Sequence, residues 1–160
     1  PVRDYTMRWP HMAVAWRDGL AVADAGNNRV MLWHEMPRDN ATPADALFGQ
    51  IDMTGCDANL GAYYPTAQAV NMPYALAVLG TRLVIGDTAN SRLLGLSEPA
   101  MAARADRLSG QPDFAAKGDN GWGVARRDTL CWPYGLSARG DTLAIADSGN
   151  NRVLIWEAAP

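Results

Sequence analysis

One eight-residue cassette occurs three times in this chain, as Ala23-Asp24-Ala25-Gly26-Asn27-Asn28-Arg29-Val30, Gly86-Asp87-Thr88-Ala89-Asn90-Ser91-Arg92-Leu93 and Ala146-Asp147-Ser148-Gly149-Asn150-Asn151-Arg152-Val153. Its aspartates lie 63 and 60 residues apart, and a fixed period of this size marks a repeat array such as a propeller or a solenoid. One repeat cannot bury its apolar face alone, so the copies must pack on one another.

Aligning the cassettes extends each copy in both directions. Upstream lie a proline and a short apolar stretch: Pro10-His11-Met12-Ala13-Val14-Ala15, Pro73-Tyr74-Ala75-Leu76-Ala77-Val78 and Pro133-Tyr134-Gly135-Leu136-Ser137. A Gly-containing turn leads to a second run, at 20–23, 83–86 and 143–146, and the cassette leads to a third, at 30–33, 93–96 and 153–156. Runs of this length, bounded by turns and rich in Val, Ile, Leu and Trp, predict antiparallel strands in a meander. A fourth element recurs as Ala44-Asp45-Ala46-Leu47-Phe48-Gly49-Gln50 and Ala105-Asp106-Arg107-Leu108-Ser109-Gly110-Gln111. The repeats therefore run over about 8–50, 70–111 and 130–160 of a single segment, with no fourth strand in the last. Ser97 as a cap, Pro99 in the first turn and the helix formers after it predict a short helix over 97–104.

The cassette reads as architecture. An Asp ending one strand can accept hydrogen bonds from the amides of the turn that follows, Gly26 and Gly149 can supply positive φ, and Asn tolerates the same region. The Arg then offers a planar fork of donors to turn carbonyls or a carboxylate. Asp24, Asn27 and Arg29, Asp87, Asn90 and Arg92, and Asp147, Asn150 and Arg152 are accordingly assigned as structural motif residues.

Residues 133–156, Pro-Tyr-Gly-Leu followed by Leu-Ala-Ile-Ala-Asp-Ser-Gly-Asn-Asn-Arg-Val-Leu-Ile-Trp, resemble an NHL repeat, with Asn28, Ser91 and Asn151 in place of the family's His. Gly110-Gln111-Pro112-Asp113-Phe114, echoed by Gly49-Gln50-Ile51-Asp52-Met53, is similar to a bacterial subgroup with long blades. The resemblance covers nearly the whole chain and implies an all-β fold, an NHL-type β-propeller with about three four-stranded blades. That is half of a six-bladed ring, since the family usually builds six. Blade faces are apolar and ring closure protects sheet edges, so the resemblance further implies completion either by additional sequence or by self-association as a homodimer.

In such a propeller the position after each repeat proline borders the central channel; His11, Tyr74 and Tyr134 occupy it. With Arg8, Asn71 and Trp132 just before, they form a set of candidate partner-binding residues, and Trp122 is an exposed anchor in the long loop of 113–132. The competing reading is that these rings brace the loops against the strand ends. Residues 52–72 form the matching loop after the first repeat, and such insertions gather on one face.

Catalysis has no assembled apparatus. Only two histidines are present, and His34 follows a strand end as a surface residue, so no metal site or other cofactor is expected. Asp57-Ala58-Asn59 and Asp119-Asn120-Gly121 lack the alternating ligands of a calcium loop and read as turns. Gly121-Trp122-Gly123 has no following helix pattern for a dinucleotide, and no Gly-x-Ser-x-Gly elbow occurs. Cys56 and Cys131 form no CxxC pair, and Cys131, among apolar neighbours, reads as a buried inert thiol. The net charge of −3 and scattered basic residues give no footprint for nucleic acid, and no apolar run is long enough to span a membrane. The compartment stays open, with the cytoplasm as the default. The residues thus favour a non-enzymatic scaffold binding a protein or peptide. A lyase or hydrolase working in the channel is the alternative, and RNA binding through a propeller face is the third reading.

Overall fold

The computed structural model describes residues 1–158, so the last two residues of the third repeat lie outside the described residues. Among the described residues, eleven strands form three antiparallel sheets in chain order. Sheet one holds β1 (Pro10–Trp16), β2 (Gly19–Asp24), β3 (Arg29–Trp33) and β4 (Ala46–Phe48). Sheet two holds β5 (Pro73–Leu79), β6 (Arg82–Asp87), β7 (Arg92–Leu96) and β8 (Arg107–Ser109). Sheet three holds β9 (Pro133–Arg139), β10 (Thr142–Asp147) and β11 (Arg152–Glu157). Each is a meander whose neighbours in sequence pair in space, and no sheet closes on itself.

The period-2 alternation of side chains decides the stacking. One face of sheet one (Ala21, Ala23, Val30, Leu32) meets Leu83, Ile85, Leu94 and Leu96 of sheet two in one core. The opposite face of sheet two, with Val84 and Leu93, meets Leu136, Leu143 and Ile145 of sheet three in a second. Each fully buried Leu or Ile here contributes roughly 1.5–3 kcal/mol over an exposed one. The opening strands β1, β5 and β9 lie side by side, so their starts converge.

Three expectations are corrected. Residues 97–104 form no helix: Ala102 N goes to Leu47 O (3.3 Å), Ala103 N closes only a single turn onto Ala100 O (3.3 Å), and the chain leaving the segment is tied by Ala105 N to Ala67 O (2.7 Å), while the Ser97 hydroxyl donates to the Asp106 carboxylate. Gly26 and Gly149 do not take positive φ; Asn28, Ser91 and Asn151 do, at 50°, 54° and 53°. The glycines are required by close approach, since a Cβ on Gly26 would stand 2.7 Å from Arg8 O and one on Gly149 2.9 Å from Cys131 O. The cassette Asp, finally, does not cap the turn after it but reaches back to the start of its own repeat, just before the repeat proline.

That geometry is the same in all three copies. Asp24 Oδ1 accepts from Arg8 N (2.6 Å), Asp87 Oδ1 from Asn71 N (2.7 Å) and Asp147 Oδ1 from Cys131 N (2.7 Å). The second oxygen takes the cassette Asn and the Arg Nε at 2.6 to 2.8 Å. The remaining guanidinium donors hold loop carbonyls: Arg3 and Thr6 for Arg29, Thr66 and Ala69 for Arg92, Arg126 and Thr129 for Arg152. Arg29 and Arg92 are fully buried, a placement an Arg tolerates only when ion-paired and fully bonded. Burial pushes the Asp87 carboxyl up, against the pull of Arg92.

Candidate functional site

His11, Tyr74 and Tyr134 each sit at a break in strand register. Pro10 pairs with Asp24 and Met12 with Ala23, leaving His11 unpaired; Tyr74 and Tyr134 are skipped in the same way in sheets two and three. A bulge adds one residue to a strand and re-aims its side chain away from the alternating faces. Here the bulge is repeated at the start of three adjacent strands, so three side chains far apart in sequence form one rank.

The rings touch in order. His11 and Tyr74 have centroids 4.0 Å apart, Tyr74 and Tyr134 lie 5.1 Å apart and nearly parallel at 15°, and Trp132 meets Tyr134 at 6.1 Å. Aromatic pairs such as Tyr74–Tyr134 and Trp132–Tyr134 are worth about 0.5–1.5 kcal/mol each beyond burial. His11, Trp132 and Tyr134 remain exposed while Tyr74 is half-buried. Burial pushes the Tyr74 phenol up, with a further push from Tyr134, so it stays a neutral donor well past neutral pH. The rank thus offers ring faces, two phenolic tips and an imidazole on a rigid base.

The residue before each proline belongs to the same site. Trp9, Met72 and Trp132 all adopt positive φ, at 51°, 51° and 52°, a strained region for bulky side chains. Two are held by the preceding sheet: Asn28 Oδ1 accepts Met72 N (2.8 Å) and Ser91 Oγ accepts Trp132 N (3.3 Å). Trp9, 60% exposed, carries the Arg8 guanidinium over its ring at 4.9 Å.

Sequence reasoning mixed two registers here. Arg8 and Asn71 align with Cys131, and all three are anchors, bonded through their backbone amides to the cassette Asp. Trp9 and Met72, each immediately before a repeat proline, are the counterparts of Trp132, so the chosen set of Arg8, Asn71 and Trp132 draws on two different positions. Trp122 is exposed as expected, but its indole lies over Gly118 and makes no aromatic contact with the rank among the described residues. A second exposed cluster had no sequence signal: Tyr63 and Tyr64 meet edge to face at 4.9 Å, and Lys117 Nζ lies 3.8 Å over the Tyr63 ring.

The other chemistry-bearing groups lie apart. His34 Nε2 is 2.7 Å from Pro99 O at the surface. Cys131 is buried, its thiol pushed up to about 11 by desolvation and by Asp119 and Asp147. Among the described residues no group of three or more His, Cys, Asp or Glu is arranged to hold a metal ion, and no helix is long and apolar enough to cross a membrane. Compared with models of known protein families and with curated proteins, the chain matches none.

Proposed function

We propose that the three sheets are successive blades of an NHL-like β-propeller, half of a six-bladed ring, and that the chain is a non-enzymatic scaffold binding a protein or peptide at the rank of His11, Tyr74 and Tyr134. The bulge at the start of each innermost strand carries this reading. A strand can meet its packing needs without a bulge, whereas repeating one three times projects three amphipathic rings to a single exposed row. Trp132 extends the row, Trp9 stands exposed two residues before His11 with Arg8 over its ring, and aromatic and Arg anchors of this kind dominate the energetics of protein recognition. Consecutive meanders stacked face to face in chain order, with β1, β5 and β9 side by side, support the propeller.

The binding reading is tested by selecting displayed peptides on the immobilised chain and re-measuring the selected clones on Tyr74→Ala and Tyr134→Ala variants of unchanged fold. Loss of binding on both is expected. Clones that bind the variants as well as the parent would refute the site. The solution mass tests ring completion separately: a stable dimer is expected if two copies close the ring.

A further inference from the structure

The way the rings of the rank pack decides what kind of surface they show. Tyr74 and Tyr134 are stacked, and His11 lies against Tyr74 at 4.0 Å with the planes tilted by 38°. An aromatic ring is negative on its faces and positive at its edges. With the Tyr74 and Tyr134 faces turned on each other, the pair shows ring edges and phenolic tips outward. The polar groups beside them are donors without partners. The Tyr74 hydroxyl reaches the Met72 sulfur at 3.9 Å, a weak acceptor. The Trp16, Trp33 and Trp156 indoles each bond a carbonyl, whereas the Trp132 indole, the Tyr134 hydroxyl and the His11 ring bond none among the described residues. Arg8 is exposed and pairs with no carboxylate among the described residues, its guanidinium lying over the Trp9 ring. Phenol and imidazole can also accept, but guanidinium and indole only donate.

The acceptors around these donors are already taken. The carbonyls of Arg8, Asn71 and Cys131 receive the Gly26, Ala89 and Gly149 amides. The three cassette carboxylates are buried, and each accepts from a backbone amide, the cassette Asn and the cassette Arg. Asp119, joined to Trp132 through the Ser91 hydroxyl, accepts from that hydroxyl at 3.0 Å. The strand starts at 8–11, 71–74 and 131–134 include an Arg and a His but no Asp or Glu, in a chain that holds 17 acidic residues against 14 Lys and Arg. The rank is thus poor in acceptors and in negative charge within a chain that is acidic as a whole.

Resting on the reading of the rank as a peptide-binding site, we propose that its ligand is an acidic peptide held by Asp or Glu side-chain carboxylates. The carboxylates accept from the phenolic tips, the His11 N–H and the Trp132 indole, and Arg8 supplies the formal positive charge. Hydrogen bonds to an ionised acceptor are roughly twice as strong as neutral ones, so a carboxylate gains more from these donors than an amide carbonyl does. The donors are spread along three adjacent strand starts, which suits a run of acidic side chains better than a single chain terminus. A polyphosphate backbone needs a tract of cations, and Arg8 alone does not supply one.

The test sequences the displayed peptides selected on the immobilised full chain and measures synthetic copies by calorimetry, each acetylated and amidated so that only side chains carry charge. Enrichment of Asp and Glu over the input library is expected, with binding kept in the amidated copies. Replacing those residues by Asn and Gln should weaken binding about tenfold or more, and this change leaves the protein itself untouched. In the protein, Tyr134→Phe should weaken binding about threefold or more at unchanged thermal unfolding, a loss that ring stacking alone would not produce. Peptides that need Tyr74 and Tyr134 but carry no acidic residues, or that tolerate Asn and Gln, would overturn the acidic ligand and leave the peptide site standing. Loss of binding on amidation would overturn it too, by assigning the carboxylate to the chain terminus. Binding that survives both Tyr74→Ala and Tyr134→Ala would remove the site itself and this proposal with it. A twelve-nucleotide single-stranded RNA that displaces the peptides and is released steeply by salt would equally overturn it.

Discussion

Asn59 and Asn90 form a reciprocal amide pair, each donating its Nδ2 to the other's Oδ1, at 3.1 and 2.8 Å. Asn120 and Asn150 repeat the pair at 2.9 and 2.8 Å. One member comes from the long loop after an outer strand and the other from the next cassette, so each pair locks a loop of one repeat to the turn of the following one. Both loop residues sit at positive φ, 53° and 54°, and both use their own amides on the next segment, to Val70 O and Leu130 O.

Removing one side of the buried Asn59 pair leaves Asn90 short of a partner, which costs about 1–3 kcal/mol. Asn59→Gly isolates that loss, because glycine accepts the left-handed backbone. Asn59→Ala should lose roughly a further 1 kcal/mol from strain. Urea denaturation of the two variants checks both numbers, and Asn120→Gly should lose less than Asn59→Gly, since its pair is only part-buried.

The three cassette ion pairs should not be energetically equal. Arg92 and Asp87 are both fully buried, so Arg92→Ala strands a carboxylate in the core and should destabilise by about 3–5 kcal/mol. The Arg152 side chain is 26% exposed, and water screens its pair with Asp147. Arg152→Ala should lose only roughly 1–2 kcal/mol. Equal losses by thermal or chemical denaturation would contradict this ranking.

The strands were legible because a three-fold repeat fixes register better than any one copy's composition does. The bulges were not, since one extra residue per strand is invisible to a period-2 pattern when every copy carries it. The failed helix over 97–104 had good local signals, but the Ala102 amide is spent on Leu47 O, and the Ala105 amide just after it on Ala67 O, both of other segments. Asn59 and Asn120 lie in loops of unlike sequence: their equivalence sets Asp57 opposite Gly118, not opposite Asp119. One signal was overlooked: Arg3-Asp4-Tyr5-Thr6-Met7-Arg8-Trp9-Pro10 shares Arg, Thr, Trp and Pro in register with residues 126–133, and Arg3 and Thr6 serve Arg29 as Arg126 and Thr129 serve Arg152.

Gly26 and Gly149 should resist alanine, while the aligned Ala89 tolerates its own methyl. The amide at the glycine positions lies 2.8 Å from Arg8 O and 2.9 Å from Cys131 O, but the Ala89 amide stands off Asn71 O at 3.1 Å. A Cβ on Gly149 would also fall 2.2 Å from Cys131 Sγ. Gly149→Ala should therefore destabilise by about 1–3 kcal/mol through overpacking. Combining it with Cys131→Ala should relieve the sulfur clash, so a double-mutant cycle with clearly favourable coupling is the expected result.

Acid should loosen the loop after β4 through Asp52. The Thr54 hydroxyl and amide, joined by the Gly55 amide, hold this carboxyl below its ordinary value of 3.8. A depressed folded-state pKa means that the unfolded chain takes up the proton first, so the stabilisation is present above that ordinary value and is lost as pH falls through the folded one. Replacing Thr54 by Ala removes the leading cause, and the Asp52 titration followed by NMR should then move up toward 3.8. An unchanged titration would mean that the backbone amides alone hold the charge.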